Sequence, residues 1–115
     1  MSKAEPSRGD VWDLGLDPAR GHEQAGVRPA LIVSVDIFNE GLAELVVVIP
    51  ITRTQRRVRW HVQANPPEGG LVSESFIQCE SVRSVSKTRL KRLRGRVSAN
   101  TMLQVEDRLR ILLGL

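Results

Sequence analysis

Short apolar runs, separated by Gly, Pro and Asn, fill most of the first 85 positions of the chain. Two of these runs, residues 29–35 and residues 42–51, are rich in β-branched side chains, which are typical of strands. The Asn39-Glu-Gly41 sequence between them predicts a turn that pairs the two strands antiparallel. A strand is also predicted over residues 10–16, and one or two more over residues 71–85.

Residues 58–63 alternate between apolar and polar side chains and predict a further strand. The alternation directs Val58, Trp60 and Val62 inward and leaves Arg59, His61 and Gln63 outside. Many short strands with Gly and Pro between them favour a small, strongly curved antiparallel barrel over a layered sandwich. We expect five to seven strands.

The last 18 residues follow a helical period. Ser98 is a suitable N-cap, and Gly114 is a suitable residue to end a helix. Between them, apolar side chains recur every three or four positions and form one face, made of Met102, Val105, Leu109 and Leu112. The predicted fold is therefore mainly β (α+β), with a C-terminal α-helix near residues 98–113 packed on the barrel. We expect residues 1–7 to form a flexible tail and residues 8–115 to form a single domain.

The composition excludes several classes of protein. The 115 residues are 41% hydrophobic, enough for one core. The longest aliphatic run, Leu45 to Ile49, is far shorter than the roughly 20 residues of a membrane span. Because residues 1–20 lack the apolar stretch of a signal peptide, we expect a cytoplasmic protein. Cys79 is the single cysteine, and no metal-binding, P-loop or serine hydrolase motif occurs, so we expect neither metal nor cofactor.

Charge is distributed unevenly along the chain. Residues 1–52 carry four basic and eight acidic side chains, whereas residues 53–115 carry 13 basic and five acidic ones. Most of the excess lies in two clusters, one from Arg53 to Arg59 and one from Lys87 to Arg96. Such clusters suit a polyanion, and the many arginines favour phosphate; the alternative is a solvated face that keeps the protein in solution. The few aromatic residues argue against a broad base-stacking surface.

Polar side chains are predicted at the edge of the sheet where the first of these strands begins and the second ends. Arg28 comes just before the first apolar strand, and Thr52 ends the second. If the strands pair through the turn at 39–41, these two residues become neighbours at one edge of the sheet. A fixed cation beside a hydroxyl suits the stabilisation of a crowded phosphate. A loop-anchoring arginine and an ordinary strand-end threonine are the alternative.

Several of these segments resemble the PemK/MazF family of toxin endoribonucleases in sequence and in order. The resemblance extends from about Arg8 to Leu115, and its most specific part is the block Gly21-His-Glu-Gln-Ala-Gly-Val-Arg-Pro29. The other matching segments are Arg8-Gly-Asp-Val-Trp12, Pro50-Ile-Thr52 and Leu112-Leu-Gly114. The resemblance implies a PemK/CcdB-like barrel assembled as a homodimer. It also implies metal-independent cleavage of single-stranded RNA at a short sequence, and neutralisation by a cognate antitoxin.

The resemblance also assigns roles to residues. The active-site arginine and threonine of the family fall on Arg28 and Thr52, and its loop glutamate and glutamine fall on Glu23 and Gln24. Glu23 is a candidate general base, and His22 is a candidate only if its loop folds over the phosphate. We expect further substrate contacts from Arg53, Thr54, Arg56, Arg57, Glu80, Ser81 and Arg83. Many relatives have glutamine where this chain has Ser81, which leaves the base preference at that position open.

Two other functions remain open at the level of the sequence. The charge and the barrel would also suit a nucleic-acid-binding module without catalysis. The same barrel can carry a toxin that binds a protein such as a DNA topoisomerase, and fold alone does not decide between these functions.

Overall fold

The computed structural model describes residues 5–15 and 26–115 of the chain. Within this part, seven strands pair antiparallel and two α-helices connect or cover them. The strands are β1 (Asp10–Gly15), β2 (Val27–Ile32), β3 (Leu45–Thr52), β4 (His61–Ala64), β5 (Ser75–Gln78), β6 (Arg83–Ser86) and β7 (Leu90–Arg96). The helices are α1 (Asp36–Asn39) and α2 (Ala99–Leu113), and short 3₁₀ turns occupy Glu68–Gly70, Cys79–Ser81 and Lys87–Arg89.

The strands form one sheet in the order β4-β5-β3-β2-β1-β7, and β6 pairs with the first half of β3. The predicted fold, mainly antiparallel strands with a C-terminal helix, is confirmed. Among the described residues the sheet stays open, because β4 and β7 at its two ends do not pair with each other. This order places β2 and β3 in the middle of the sheet, so the residues at their ends have strands on both sides.

Both faces of the central strands are buried. Successive side chains on a strand point to opposite faces, so Leu31 and Ile49 enter one cluster while Ile32 and Val48 enter the other. The first cluster lies under α2, and the second contains Trp12 and Leu14 of β1. Burial on both faces explains why residues 45–49 are a continuous aliphatic run with no polar position.

Helix α2 has the boundaries that its sequence predicts. The Ser98 side chain accepts a hydrogen bond from the backbone N–H of Thr101 at 3.1 Å, and Gly114 ends the helix with a φ of 72°. Val105 is fully buried in the first cluster, and Met102 and Leu109 pack against it. The predicted apolar face therefore holds α2 on the sheet.

The connection between β2 and β3 differs from the predicted turn. It contains the one-turn helix α1, and β3 starts at Leu45, so Leu42 lies outside the strand and is fully exposed. The Asn39 side chain is buried, where it accepts a hydrogen bond from the Ser34 hydroxyl and donates one to the Ser34 carbonyl. These bonds stabilise a longer connection than the Asn-Glu-Gly sequence alone indicates.

The described part of the N-terminal segment packs against the sheet. Pro6 is buried, and the backbone N–H of Ser7 donates to the Asp10 carboxylate at 2.8 Å. Arg8 donates to the carbonyl of Val33 and forms an ion pair with Glu106 of α2 at 2.7 Å. No helix in the described ranges is long and apolar enough to cross a membrane.

Candidate active site

Arg28 and Thr52 lie at the same edge of the sheet, at the start of β2 and the end of β3. These strands pair with Ala30 opposite Pro50 and Leu31 opposite Ile49. The same register, continued outward by two residues, places Arg28 opposite Thr52, and residues opposite each other in an antiparallel pair project from the same face. Arg28 is exposed and Thr52 is half-buried. Extended in this way, the strand pairing puts these two predicted catalytic residues at the same edge of the sheet.

The chain leaves β3 through an exposed basic loop. Thr54 donates its backbone N–H to the Thr52 hydroxyl oxygen at 3.2 Å, which fixes the start of this loop. Arg53, Arg56 and Arg57 are all exposed, and none forms an ion pair with another described residue. The first basic cluster is therefore presented to solvent next to Thr52.

A cavity of about 210 Å³ opens beside this edge of the sheet. Three arginines line it, Arg28 from β2, Arg53 from the loop after β3, and Arg94 from β7. The apolar part of its wall includes Pro29 and Ile51. Arg28 lines this cavity, and Thr52 does not.

The second basic cluster is largely engaged in ion pairs that were not predicted from the sequence. Arg94 donates to the buried carboxylate of Asp13 at 3.0 Å, and Arg92 lies 3.3 Å from the other oxygen of that carboxylate. Arg96 pairs with the buried Asp10 at 2.6 Å. Buried carboxylates require such partners, so much of this cluster stabilises β1 against β7. Two acidic residues inside an apolar strand were the sequence signal for this pairing.

Glu80, Ser81 and Arg83 lie on the other side of β3 from β2. Arg83 is opposite Val48, four residues before Thr52 on β3, and Glu80 and Ser81 belong to the turn that precedes β6. At about 3.3 Å per residue, Arg83 is roughly 13 Å along the strand from Thr52. The strand pairing therefore separates Arg83 along β3 from the edge that carries Arg28 and Thr52.

His61 lies on the face of β4 opposite the buried Val62, as the alternation predicts, but its side chain is covered instead of exposed. Its side chain is 4% exposed, and its Nε2 atom is 2.9 Å from a carboxylate oxygen of Glu80. The preceding residues Val58 and Trp60 lie before β4, and both are half-buried. Alternation assigned His61 to the outer face, but the turn Cys79–Ser81 packs against β4 and covers that face. The His61 side chain thus holds the Glu80 carboxylate in place.

The remaining candidates are the predicted loop residues, a metal site and the Cys79 thiol. The predicted residues His22, Glu23 and Gln24 lie outside the described residues. Among residues 5–15 and 26–115, no group of three His, Cys, Asp or Glu side chains could hold a metal ion. Burial, together with the nearby Glu80, raises the pKa of the Cys79 thiol to about 11, so at neutral pH this thiol is not a nucleophile.

Comparison with known proteins gives a consistent result. The model of a protein family described as the PemK-like, MazF-like toxin of type II toxin–antitoxin systems matches residues 7–113. A curated relative, endoribonuclease MazF9 of Mycobacterium tuberculosis, is 36% identical over 113 residues, with 94% of this chain and 96% of the relative covered.

Solved structures agree with this comparison. The MazE–MazF crystal structure from Deinococcus radiodurans superposes with a TM-score of 0.84 at 27% identity, covering 98% of this chain and 99% of the other. An endoribonuclease in complex with its cognate antitoxin from a Mycobacterial species superposes with a TM-score of 0.78 at 28% identity, and 96% of each chain is covered.

Proposed function

Because the chain belongs to the PemK-like, MazF-like toxin family of type II toxin–antitoxin systems, we propose that it is an endoribonuclease toxin neutralised by a cognate antitoxin. Its substrate is single-stranded RNA, which it cuts at a short sequence. The observation that supports this proposal is the β2–β3 register, which, continued by two residues, sets Arg28 opposite Thr52 at an edge with an arginine-lined cavity and an exposed basic loop.

The proposed reaction uses a nucleophile that the RNA itself supplies. The 2′-oxygen of a ribose attacks the adjacent phosphorus and forms a bond to it, while the bond from phosphorus to the 5′-oxygen of the next nucleotide breaks. The 2′-hydroxyl proton goes to a base, and the leaving 5′-oxygen takes up a proton. The products carry a 2′,3′-cyclic phosphate and a 5′-hydroxyl. No metal-bound water is needed for this attack, so the proposed cleavage is metal-independent.

Arg28 and Thr52 are suited to stabilise the charge that develops on the phosphate oxygens. Arg28 supplies a permanent cation with parallel N–H donors, and Thr52 supplies a hydroxyl donor from the facing strand. A preorganised donor of this kind contributes about 3 kcal/mol to transition-state stabilisation. An arginine is a poor general base at neutral pH because its pKa is above about 12, so we assign that role to Glu23.

The remaining predicted residues would hold the RNA on either side of the cut. Arg53, Arg56 and Arg57 lie in the exposed loop after β3 and would neutralise backbone phosphates, with Thr54 beside them. Ser81 and Arg83 would contact nucleotides of the RNA further from the cut. Glu80 would contact the RNA as well, while its carboxylate stays paired with His61. His22 and Gln24 complete the proposed substrate contacts.

We also propose that the active protein is a homodimer located in the cytoplasm, where its RNA substrate is found. Outside the buried face of α2, apolar side chains remain exposed in the described structure, Leu103 at 64% and Leu113 at 57% among them. A second copy of the chain would cover such side chains.

End-mapping of RNA tests the proposed function. Purified protein is incubated with total RNA in EDTA, and the 5′ and 3′ ends of the fragments are identified chemically. We expect cuts within one short sequence, each leaving a 2′,3′-cyclic phosphate and a 5′-hydroxyl, and equal rates with and without EDTA. RNA that binds but stays intact would favour a non-catalytic binding module, and damaged DNA with intact RNA would favour a topoisomerase poison.

A further inference from the structure

Arg94 lines the arginine-lined cavity as well as forming its ion pair with Asp13. Its side chain is only 17% exposed, although it belongs to a run of basic residues that the sequence presents as a surface feature. Its Nη1 atom donates to Asp13, and its Nε and Nη2 atoms donate to the carbonyl of Gly70 at 3.4 and 3.1 Å. These contacts hold the guanidinium rigidly at the cavity wall.

The guanidinium retains donors for a ligand. An arginine has five N–H donors, and the contacts with Asp13 and Gly70 use one on each of its three nitrogens. One N–H on Nη1 and one on Nη2 therefore remain unpaired among the described residues. Asp13 also interacts with Arg92, so its single negative charge does not neutralise the whole set of arginines around the cavity.

Two glycines create the position of Arg94. Gly70 has a φ of 67°, and a Cβ atom there would collide with the backbone of Arg94. A Cβ atom on Gly95, the next residue of β7, would come within 2.7 Å of the Gly70 nitrogen. Because both residues lack a side chain, the 3₁₀ turn Glu68–Gly70 lies directly against β7, and its carbonyl reaches the guanidinium.

Ser73 adds a second, independent sign of a ligand. Ser73 lines the same cavity, and its hydroxyl oxygen is buried and has no hydrogen-bond partner among the described residues. A buried hydroxyl without a partner costs free energy, so such groups usually face a bound molecule or water. The cavity volume of about 210 Å³ is far above the ~15 Å³ that a cavity needs to hold one water molecule. A phosphodiester group fits in it.

We propose that Arg94 and Ser73 form, together with Arg28 and Arg53, a subsite for one backbone phosphate of the RNA next to the phosphate that is cut. This inference rests on the proposed function for the identity of the ligand as RNA. Three cations and one hydroxyl donor match the oxygens of a phosphodiester, and no described carboxylate lines the cavity. Arg94 is then a binding residue that Asp13 and Gly70 hold in position.

The test measures binding without chemistry. The probe is a fluorescent 12-nucleotide 2′-O-methyl RNA of randomised sequence, which lacks the attacking hydroxyl, and binding is followed by anisotropy over a range of salt concentrations. The variants are Arg94→Gln and Ser73→Ala. Arg92→Gln is the matched control, because Arg92 pairs with the same Asp13 carboxylate but is 71% exposed and lies outside this cavity. Ser84→Ala, at an exposed position of β6, controls for the loss of a hydroxyl.

Arg94→Gln should weaken binding about tenfold, as expected for one charge-assisted contact, and should reduce the salt slope by about 0.7. Ser73→Ala should weaken binding about threefold without lowering the unfolding temperature, so it tests the subsite even if Arg94→Gln is unstable. Both controls should bind within about twofold of the original protein. If Ser73→Ala and a folded Arg94→Gln bind like their controls while the protein still cuts RNA, the subsite is wrong and the function stands. If the protein never cuts RNA but both variants lose affinity, the anion subsite stands and the endoribonuclease assignment fails.

Discussion

The Arg94 guanidinium lies 3.0 Å from the Asp13 carboxylate, and this pair joins β7 to β1 inside the fold. Arg92 approaches the second oxygen of the same carboxylate, and Arg96 makes a similar contact with Asp10, three residues earlier on β1. The run of basic residues near the C-terminus is thus mainly a set of partners for buried acids. At the proposed site, the arginines that form no ion pair with another described residue are Arg28 and those of the loop after β3.

Replacing Asp13 with alanine should destabilise the protein severely. The side chain is 9% exposed, and its removal leaves the largely buried Arg94 without its anionic partner. We expect a loss of about 3 kcal/mol in the free energy of unfolding, measured by urea titration. Asp107→Ala breaks an exposed pair with Arg108 and should cost less than about 0.5 kcal/mol. Equal losses in the two variants would contradict the structural role of the Asp13 pair.

Glu68 should make stability depend on pH in the acid range. Partial burial raises the pKa of this carboxyl, but hydrogen bonds from Thr101 and Ser98 outweigh that effect and hold it below its usual 4.5. The carboxylate accepts the Ser98 backbone N–H at 2.8 Å, at the start of α2. Its contribution is therefore present above pH 4.5 and is lost as the pH falls through the lower folded-state pKa.

Glu68→Gln provides the measurement for this pH dependence. The difference in unfolding free energy between the original protein and the variant should be constant near neutral pH and should shrink as the pH falls below about 4.5. It should stay below about 1 kcal/mol because the carboxylate is partly exposed. If the difference in unfolding free energy instead grows as the pH falls, the Glu68 carboxylate does not have the lowered pKa described here.

Neutralising the exposed loop cluster should weaken RNA binding more than it slows cutting. Replacing Arg53, Arg56 and Arg57 with glutamine removes cations that pair with no described carboxylate. Each lost phosphate contact should reduce the salt slope of binding to single-stranded RNA by about 0.7. The cleavage rate at saturating RNA should change much less. A double Lys91→Gln, Arg92→Gln variant serves as the control and should show a smaller effect, and an unchanged slope in the triple variant would identify its cluster as a solvated face.

The local patterns in the sequence were sufficient for the main elements of the fold. Continuous aliphatic positions indicated β2 and β3, and the apolar period with Ser98 and Gly114 indicated α2 with its correct ends. The strand order also involves contacts between distant segments, such as the close approach of Gly70 to β7, and these have no local signature. The same is true of His61, whose outer face is covered by a turn 18 or more residues away.

The candidate site could be predicted where strand pairing determines it. Arg28 and Thr52 are separated by 23 residues, but one hairpin-like connection brings them to the same edge. The role of Arg94 could not be predicted, because in the sequence it is one of six similar cations. Its burial and its buried partner distinguish it, and both require the pairing of β1 with β7.

Replacing Arg28 should abolish cleavage in a folded protein. The residue is exposed at the start of β2, so Arg28→Ala should change the unfolding free energy by less than about 0.5 kcal/mol. The loss of a preorganised donor should slow cleavage by a factor of about 100 or more. Arg28→Lys should restore little, because an ammonium cannot give two parallel hydrogen bonds to a phosphate. The assignment fails if either variant cuts at a near-original rate in single-turnover assays, with Arg92→Ala as the charge control.

The central claim is that the Thr52 hydroxyl acts in catalysis together with Arg28, and variants of Thr52 test it most directly. Thr52→Ser keeps the hydroxyl, whereas Thr52→Val keeps the shape and the strand preference of the residue but loses the hydroxyl. We measure single-turnover cleavage of one RNA oligonucleotide by the original protein and both variants, over a range of RNA concentrations. The serine variant should retain most of its activity, and the valine variant should lose turnover far more than affinity. If the valine variant cuts as fast as the serine variant, Thr52 is only a strand-end residue and the active site lies elsewhere.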